Sequence, residues 1–385
     1  MAGETLNPIQ QSVLDALAKR PEFVPSTPEL ADDIEAHVAD ALEPVARHYS
    51  ADKPLVIAKH TLNSVHGCEA QHVANRGKFA WSIPLVRGTV LHKAIELLIN
   101  MRSPRTPSDI VDDALDRIVE TERGSASDYI ASLSPAEQAE LRATIIDLVT
   151  KYEDSFPPLK PEWRPVVESN AKVHLCDRSI LLTARTDLTI GPPGSKVIID
   201  LKTGRMSAAY REDLRFYALA ETLKSRQTPR LTATFAVDSQ RIDTEPVTVD
   251  TLRAAVRRLV EGAQLIDELD RQQRPPTKKT SFACRWCPLL GSCSEGTAFL
   301  ADDADDYRTS ISANGTPSPA VDRAVAMRLP CCTAAFGRPT TSGPANTHTA
   351  SRSATLTTKP HRCASPAGAP PATTSITTLP TRWNP

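Results

Sequence analysis

Read for its hydrophobic period, the chain falls into helix-like and strand-like stretches in a definite order. Residues 8–20 and 28–49 carry apolar positions at helical spacing, and the second stretch opens with Thr27 as a helix cap and Pro28 in the first turn. A less regular segment, HTLNSVHGCEAQHVANRGKFAW, follows. From Gly88 onward Val90, Leu91, Ala94, Ile95, Leu98 and Ile99 form one apolar stripe, which predicts a helix. Two more helices are expected at 107–122 and 135–153, the latter introduced by the capping box Ser134-Pro135-Ala136-Glu137. The pattern then turns to strands. Pro165–Leu175 reads as one, and Thr186–Ile190 and Lys196–Leu201 read as a hairpin around the turn Gly191-Pro192-Pro193-Gly194. A helix at 207–224, a buried strand at Leu231–Val237 and a long helix at 249–269 complete the periodic part.

This order predicts an α/β fold, a mixed central sheet flanked by helices, with a helical N-terminal part at 1–54. The main domain would span 55–300, with a helical insertion at about 103–160. From 301 to 385 Ser, Thr, Pro and Ala supply 49 of the 85 residues, a composition that cannot bury enough apolar surface to order itself. That tail is expected to be disordered. From 311 it carries seven Arg or Lys against the single acid Asp322, which reads either as a weakly basic arm or as the product of a shifted reading frame.

Composition narrows the class. Apolar residues make up 40% and charged residues 24%, as in a soluble globular protein. The net charge of −1 gives no whole-molecule attraction to nucleic acid, so any DNA track must be local. No apolar run approaches the roughly 20 residues that span a bilayer. MAGETLNPIQ lacks the basic-then-apolar layout of a signal peptide. The expectation is a cytoplasmic protein without a membrane partner, whose eight cysteines serve as metal ligands or free thiols rather than disulfides.

The candidate chemistry centres on the hairpin. Asp187 lies on its first strand; Asp200 and Lys202, two apart, point to one face at the end of the second. Two carboxylates and an ammonium beside Val197-Ile198-Ile199 suit metal-assisted phosphodiester hydrolysis. Hard divalent ions prefer carboxylate oxygens, and a lysine can orient the attacking water or offset charge on the phosphate. A second signal is FACRWCPLLGSC, where Cys284, Cys287 and Cys293 give a C-x2-C-x5-C spacing that fits a zinc site or an iron–sulfur cluster alike. A fourth ligand must come from elsewhere, and Cys68 and Cys176 are the remaining candidates ahead of the tail. Cys331, Cys332 and Cys363 show no ligand spacing.

At these residues the sequence resembles the PD-(D/E)XK nuclease superfamily. Asp187 matches its first acidic position, Asp200-Leu201-Lys202 its D/E-X-K step, and the following Thr203-Gly204 the form seen in the RecB-like branch. The resemblance implies a restriction-endonuclease-like core and a Mg²⁺ or Mn²⁺ ion held by His92, Asp187 and Asp200, with Lys202 assisting. GTVLHKAIE is similar to the branch's histidine helix, which makes His92 a ligand and Glu96 a supporting residue. Glu168 stands where relatives often carry a glutamate, or is an exposed strand residue. Tyr217 matches the tyrosine of a Q-x-x-x-Y helix whose glutamine position is Asp213 here. Arg211 and Arg215 on that helix are phosphate contacts or merely solvated charges. The layout of one cysteine before the histidine helix and three beyond the core is similar to the iron–sulfur clasp of AddB and of CRISPR-associated RecB-type exonucleases. It implies a [4Fe–4S] cluster on Cys68, Cys284, Cys287 and Cys293, with Zn²⁺ as the alternative and Cys176 an ordinary buried thiol. The implied function is a metal-dependent deoxyribonuclease, an exonuclease of repair, recombination, or phage or CRISPR-related DNA processing. Its substrate would be single-stranded DNA or DNA with accessible ends, beside a helicase or recombination partner. A catalytically silent DNA-binding subunit and a zinc-stabilised interaction module are the rival readings.

Overall fold

The computed structural model describes residues 5–100, 105–121, 126–204 and 206–302. Helices α1 (Pro8–Leu17) and α2 (Pro28–Ala46) come first, then strand β1 (Leu55–Ala58) and helices α3 (Lys59–Gly67), α4 (Glu69–Asn75) and α5 (Ile83–Asn100). Helices α6 (Pro107–Thr121), α7 (Ala126–Ser132) and α8 (Pro135–Ser155) follow. Next are β2 (Val166–Leu175), β3 (Ile180–Ile190), β4 (Val197–Lys202), α9 (Tyr210–Ser225), β5 (Leu231–Ala236), β6 (Arg241–Pro246) and α10 (Val249–Asp270). The α/β class and the mixed, helix-flanked sheet are as the sequence predicts. The capping box at Ser134 and Glu137 forms, whereas the side chain of Thr27 makes no cap bond to its helix. The predicted tail beyond residue 302 lies outside the described residues.

Six strands form one sheet in the order β1-β3-β4-β5-β6, with β2 on the other edge of β3. β2 pairs antiparallel with nearly all of β3, from Val166 opposite Thr189 to Leu175 opposite Ile180. The opposite edge of β3 is shared. β1 runs parallel to it only as far as Thr183, and β4 joins antiparallel only from Leu188. Between these points the edge is open, and the sheet forks.

Helices pack on both faces. Along β4, Val197, Ile199 and Leu201 enter a core with α1, α5, α6 and α8, while Ile198 enters the other core with α2, α3, α9 and α10. The N-terminal helices therefore belong to these cores: Val13 and Leu17 of α1 pack in one, Ile34, Val38 and Leu42 of α2 in the other. Along β3, Ile180, Leu182 and Ala184 lie in one core and Leu188 and Ile190 in the other. The change of side falls at the fork, where the strand twists without a neighbour on one edge. The β3–β4 turn needs its first glycine: Gly191 has φ +92°, and a Cβ there would sit 2.6 Å from the Ser195 carbonyl oxygen.

Candidate active site

The fork collects the predicted acidic residues. In the antiparallel registers, Val167 opposes Leu188 and Leu188 opposes Ile199. One residue beyond these pairs, at the mouth of the fork, Glu168 of β2 and Asp200 of β4 flank Asp187 of β3, although neither is paired with it in the ladder. Glu168 has φ +56°, a left-handed backbone in mid-strand that a glutamate rarely adopts. Such local strain concentrates at functional sites.

His92 reaches the row from α5, whose apolar stripe of Val90, Leu91, Ala94 and Ile95 is fully buried. Its Nε2 donates to the Leu201 carbonyl at 3.1 Å, and its Nδ1 lies 3.4 Å from Asp187 Oδ1. Asp187 Oδ2 accepts from the Leu201 N–H at 2.7 Å. One residue of β4 thus orients both side chains through its backbone, the arrangement that fixes a metal-binding imidazole in the right tautomer. Ligand atoms of His92, Glu168 and Asp187 all lie within 4.8 Å of one another. Burial pushes the Asp187 carboxyl above its usual range; His92 works against that and Asp200 adds to it. Burial also raises Glu168, opposed by Arg185, with which it is ion-paired.

Asp200 is fully buried. Lys202 Nζ lies 2.6 Å from its Oδ2, yet off the hydrogen-bonding direction, so this buried oxygen has no hydrogen-bond partner. A buried carboxylate beside three clustered ligand groups is the kind of oxygen-rich set that a hard divalent cation prefers. The donor set fits Mg²⁺, and the imidazole also suits Mn²⁺.

A family model describing the PD-(D/E)XK nuclease superfamily matches residues 58–294. The chain belongs to the PD-(D/E)XK nuclease superfamily. No curated protein matches it. Among solved structures, a candidate exonuclease from Eubacterium rectale is similar at 12% identity over 66% of this chain and 90% of its own, with a TM-score of 0.37. Protein VC1899 from Vibrio cholerae is similar at 11% identity over 65% of this chain and 57% of its own, with a TM-score of 0.17. Likenesses this slight say nothing of what this superfamily member acts on.

The other predicted residues fall in two groups. Tyr217, buried on α9, lies against Lys59, and its hydroxyl pKa is raised, chiefly by burial. Glu96 is outside the cluster, paired with Lys93 at 2.5 Å on the edge of α5. Arg211 and Arg215 are committed to Asp243 and Glu245 of β6, each by two hydrogen bonds, and pin α9 to the sheet.

Sequence reasoning missed Lys59, the residue where β1 passes into α3 at the fork. Its Nζ is 3.4 Å from Asp200 Oδ1 and 3.7 Å from Asp213 Oδ2, and 4.9 Å from the Tyr217 ring centre. Burial opposes its charge, but Asp200, Tyr217 and Asp213 outweigh it and the pKa is raised. Asn63, one turn on in α3, donates to Asp213 Oδ1 at 2.6 Å. The four-residue spacing of Lys59 and Asn63, placing both on one helix edge, was the available signal.

The four cysteines of the predicted clasp, Cys68, Cys284, Cys287 and Cys293, line one cavity of about 60 Å³. Ala70 N–H bonds to the Thr277 carbonyl at 3.1 Å, and Arg274 clamps Glu69 at 2.6 and 2.9 Å, so α4 and the cysteine loop are tied together. Gly296 lies against the cavity, where a Cβ would make ordinary contact with the Cys293 and Cys284 sulfurs at 3.4 and 3.5 Å. Cys176 stands apart, its Sγ 3.6 Å from the Ala39 carbonyl and its pKa raised by burial.

Proposed function

We propose that this superfamily member is a metal-dependent deoxyribonuclease of the RecB-like branch, acting as an exonuclease on DNA with accessible ends. The observation that carries this is the meeting of His92, Glu168 and Asp187 within 4.8 Å, with the buried Asp200 carboxylate beside Lys202 and Lys59 at the same fork. His92, Asp187 and Asp200 would hold Mg²⁺ or Mn²⁺, with Glu168 completing the set. A divalent ion there would supply a Lewis acid for the phosphate and lower the pKa of the attacking water. Lys202, two residues past the inner carboxylate and beside the Tyr210 ring at 5.0 Å, keeps its ammonium at the mouth of the site. From there it can offset the charge that builds on the phosphate. Tyr217 walls the inner side and excludes water from around Lys59 and Asp200.

The cysteine cavity, lined by all four predicted ligands, is consistent with the [4Fe–4S] clasp, with zinc as the alternative. Backbone N–H groups of Ser281 and Gly296 approach the sulfurs of Cys284 and Cys293 at 3.5 and 3.4 Å, contacts that stabilise cluster thiolates. Brown colour with absorption near 400 nm after anaerobic purification is expected.

The decisive experiment is Asp200→Ala assayed on end-labelled single- and double-stranded DNA with Mn²⁺, Mg²⁺ or chelator. Cation-dependent loss of label is expected from the wild type alone. Digestion retained by a folded variant would remove the assignment, and a folded wild type that binds DNA without cutting it would favour the silent-subunit reading.

A further inference from the structure

The cysteine loop carries two aromatic rings that the fold does not use. Trp286, between Cys284 and Cys287, is 76% exposed, and Phe282 is 57% exposed. Phe282 is held edge-on by Phe299 at 6.0 Å, with the Arg285 guanidinium 5.1 Å from its ring centre. Rings of this kind ordinarily bury roughly 150–250 Å² each, so leaving both in water on a short loop calls for an occupant.

The charge around them says which. Residues 271–294 contain Arg271, Arg274, Lys278, Lys279 and Arg285 and no acid, in a chain whose net charge is −1; Arg271 pairs with Asp267, Arg274 with Glu69 and Glu268, and Lys278 with Glu295. Lys278 and Lys279 are both exposed on the segment that leads into the loop. A basic surface with interleaved aromatics suits a phosphate backbone whose bases are free to stack. A protein partner would instead require an apolar interface core, which is typically depleted in lysine. Geometry links the loop to the acidic row. α3 starts at Lys59, at the fork, and ends against Cys68, in the cysteine cavity. Its nine residues span about 13 Å, roughly four nucleotides at the 3.4 Å rise of a stacked strand.

We propose that Trp286, supported by Phe282, is a base-stacking platform that holds single-stranded DNA on its way to the acidic row. This rests on the reading of the substrate as DNA. A duplex would gain little from it, because its interior bases are stacked on both faces and only the terminal pair presents one free face.

The test is fluorescence anisotropy with the full chain, a labelled 20-nucleotide oligothymidine and a blunt duplex, in EDTA so that nothing is cut. Trp286→Ala should weaken oligothymidine binding roughly 5- to 150-fold, the worth of one stacked base, and leave duplex binding unchanged. Trp286→Phe should retain most of the affinity. With Mn²⁺ restored, a small chromogenic phosphodiester that cannot reach the loop should be hydrolysed by Trp286→Ala at the wild-type rate. Unchanged oligothymidine affinity in a variant with the wild-type melting temperature would overturn the proposal. So would an equal loss on the duplex, or the loss of a co-purifying protein in place of DNA. If Trp286→Ala does not fold, Phe282→Ala carries the test, with a several-fold loss expected and no change overturning it. Failure of the nuclease reading would appear separately, as continued digestion by Asp200→Ala, and would not alter affinities measured in EDTA.

Discussion

Replacing Asp187 by asparagine removes one charge from a row of three carboxylates, and the consequence follows from how close they stand. Ligand atoms of Asp187 and Glu168 lie within 4.8 Å, a like-charge repulsion of about 3.5 kcal/mol at an effective dielectric constant of ~20. Asp200 on β4 adds to the repulsion. His92, Lys59 and the Leu201 N–H offset most of this, leaving a net penalty on the order of 1–3 kcal/mol. The sign agrees with the raised pKa of Asp187: a carboxyl easier to protonate when folded than when unfolded costs stability wherever pH keeps it ionised. Asparagine keeps an oxygen for the Leu201 N–H and adds an amide that can donate to His92 Nδ1. In EDTA near pH 8, Asp187→Asn should therefore melt several degrees above the wild type, given about 2–4 °C per kcal/mol for a domain of this order of size. With Mn²⁺ the ranking should reverse. A cation at 100 times its Kd stabilises the wild type by about 2.7 kcal/mol, and the variant should gain nothing. Because Asp187 and Glu168 must ionise to hold a cation, the wild-type gain should shrink as pH falls, beginning above the ordinary carboxylate range. Melting curves with and without Mn²⁺ decide it. A variant less stable in EDTA that still shifts with Mn²⁺ would refute the reasoning.

Glu69 is held well below the usual carboxylate range, at about 2, by hydrogen bonds from Arg274 that outweigh burial. Its contribution is thus present above about pH 4.5 and lost as pH falls toward 2. Glu69→Gln should remove it at neutral pH, and faster proteolysis of the 277–296 loop at pH 7 is the check; unchanged protection would refute the tie. Lys59→Met should destabilise by about 3–5 kcal/mol, since it strands Asp213 in a buried position. Adding Asp213→Gln should recover most of that in urea melts, and additive losses would show that the pair is not coupled.

Much of this site was legible because it is written in short-range spacing. Asp200 and Lys202 are two apart on a strand, so period alone puts them on one face, and they meet at 2.6 Å. Cys284, Cys287 and Cys293 are close in sequence, and Cys68 joins them in one cavity. What escaped was set by register and by short elements. The left-handed backbone at Glu168 leaves no sequence signature, yet together with the β2–β3 pairing it decides that this glutamate belongs to the row while Glu96 does not. β1 has only four residues and runs directly into α3, too short for its period to register, so the lysine at their junction was marked only by its spacing from Asn63. β6 was missed for a different reason. RIDTEP is exposed and polar, and its stability comes from pairing with β5 and from Arg211 and Arg215 across the edge.

The departure on α9 and the lysine at the fork are one feature. Asp213 stands where the resemblance to the RecB-like branch implies a glutamine. Buried at 6% exposure, Asp213 would be untenable as an isolated carboxylate. It persists because α3 supplies Lys59 at 3.7 Å and Asn63 at 2.6 Å, and Asn63 is itself held by Arg258 at 2.9 Å. The same lysine faces Asp200 on its other side, so Asp200 stands between Lys59 and Lys202. Two ammonium groups beside a fully buried carboxyl group offset the cost of ending a strand of Val, Ile and Leu in an acidic side chain, and both come from elements that meet at the fork.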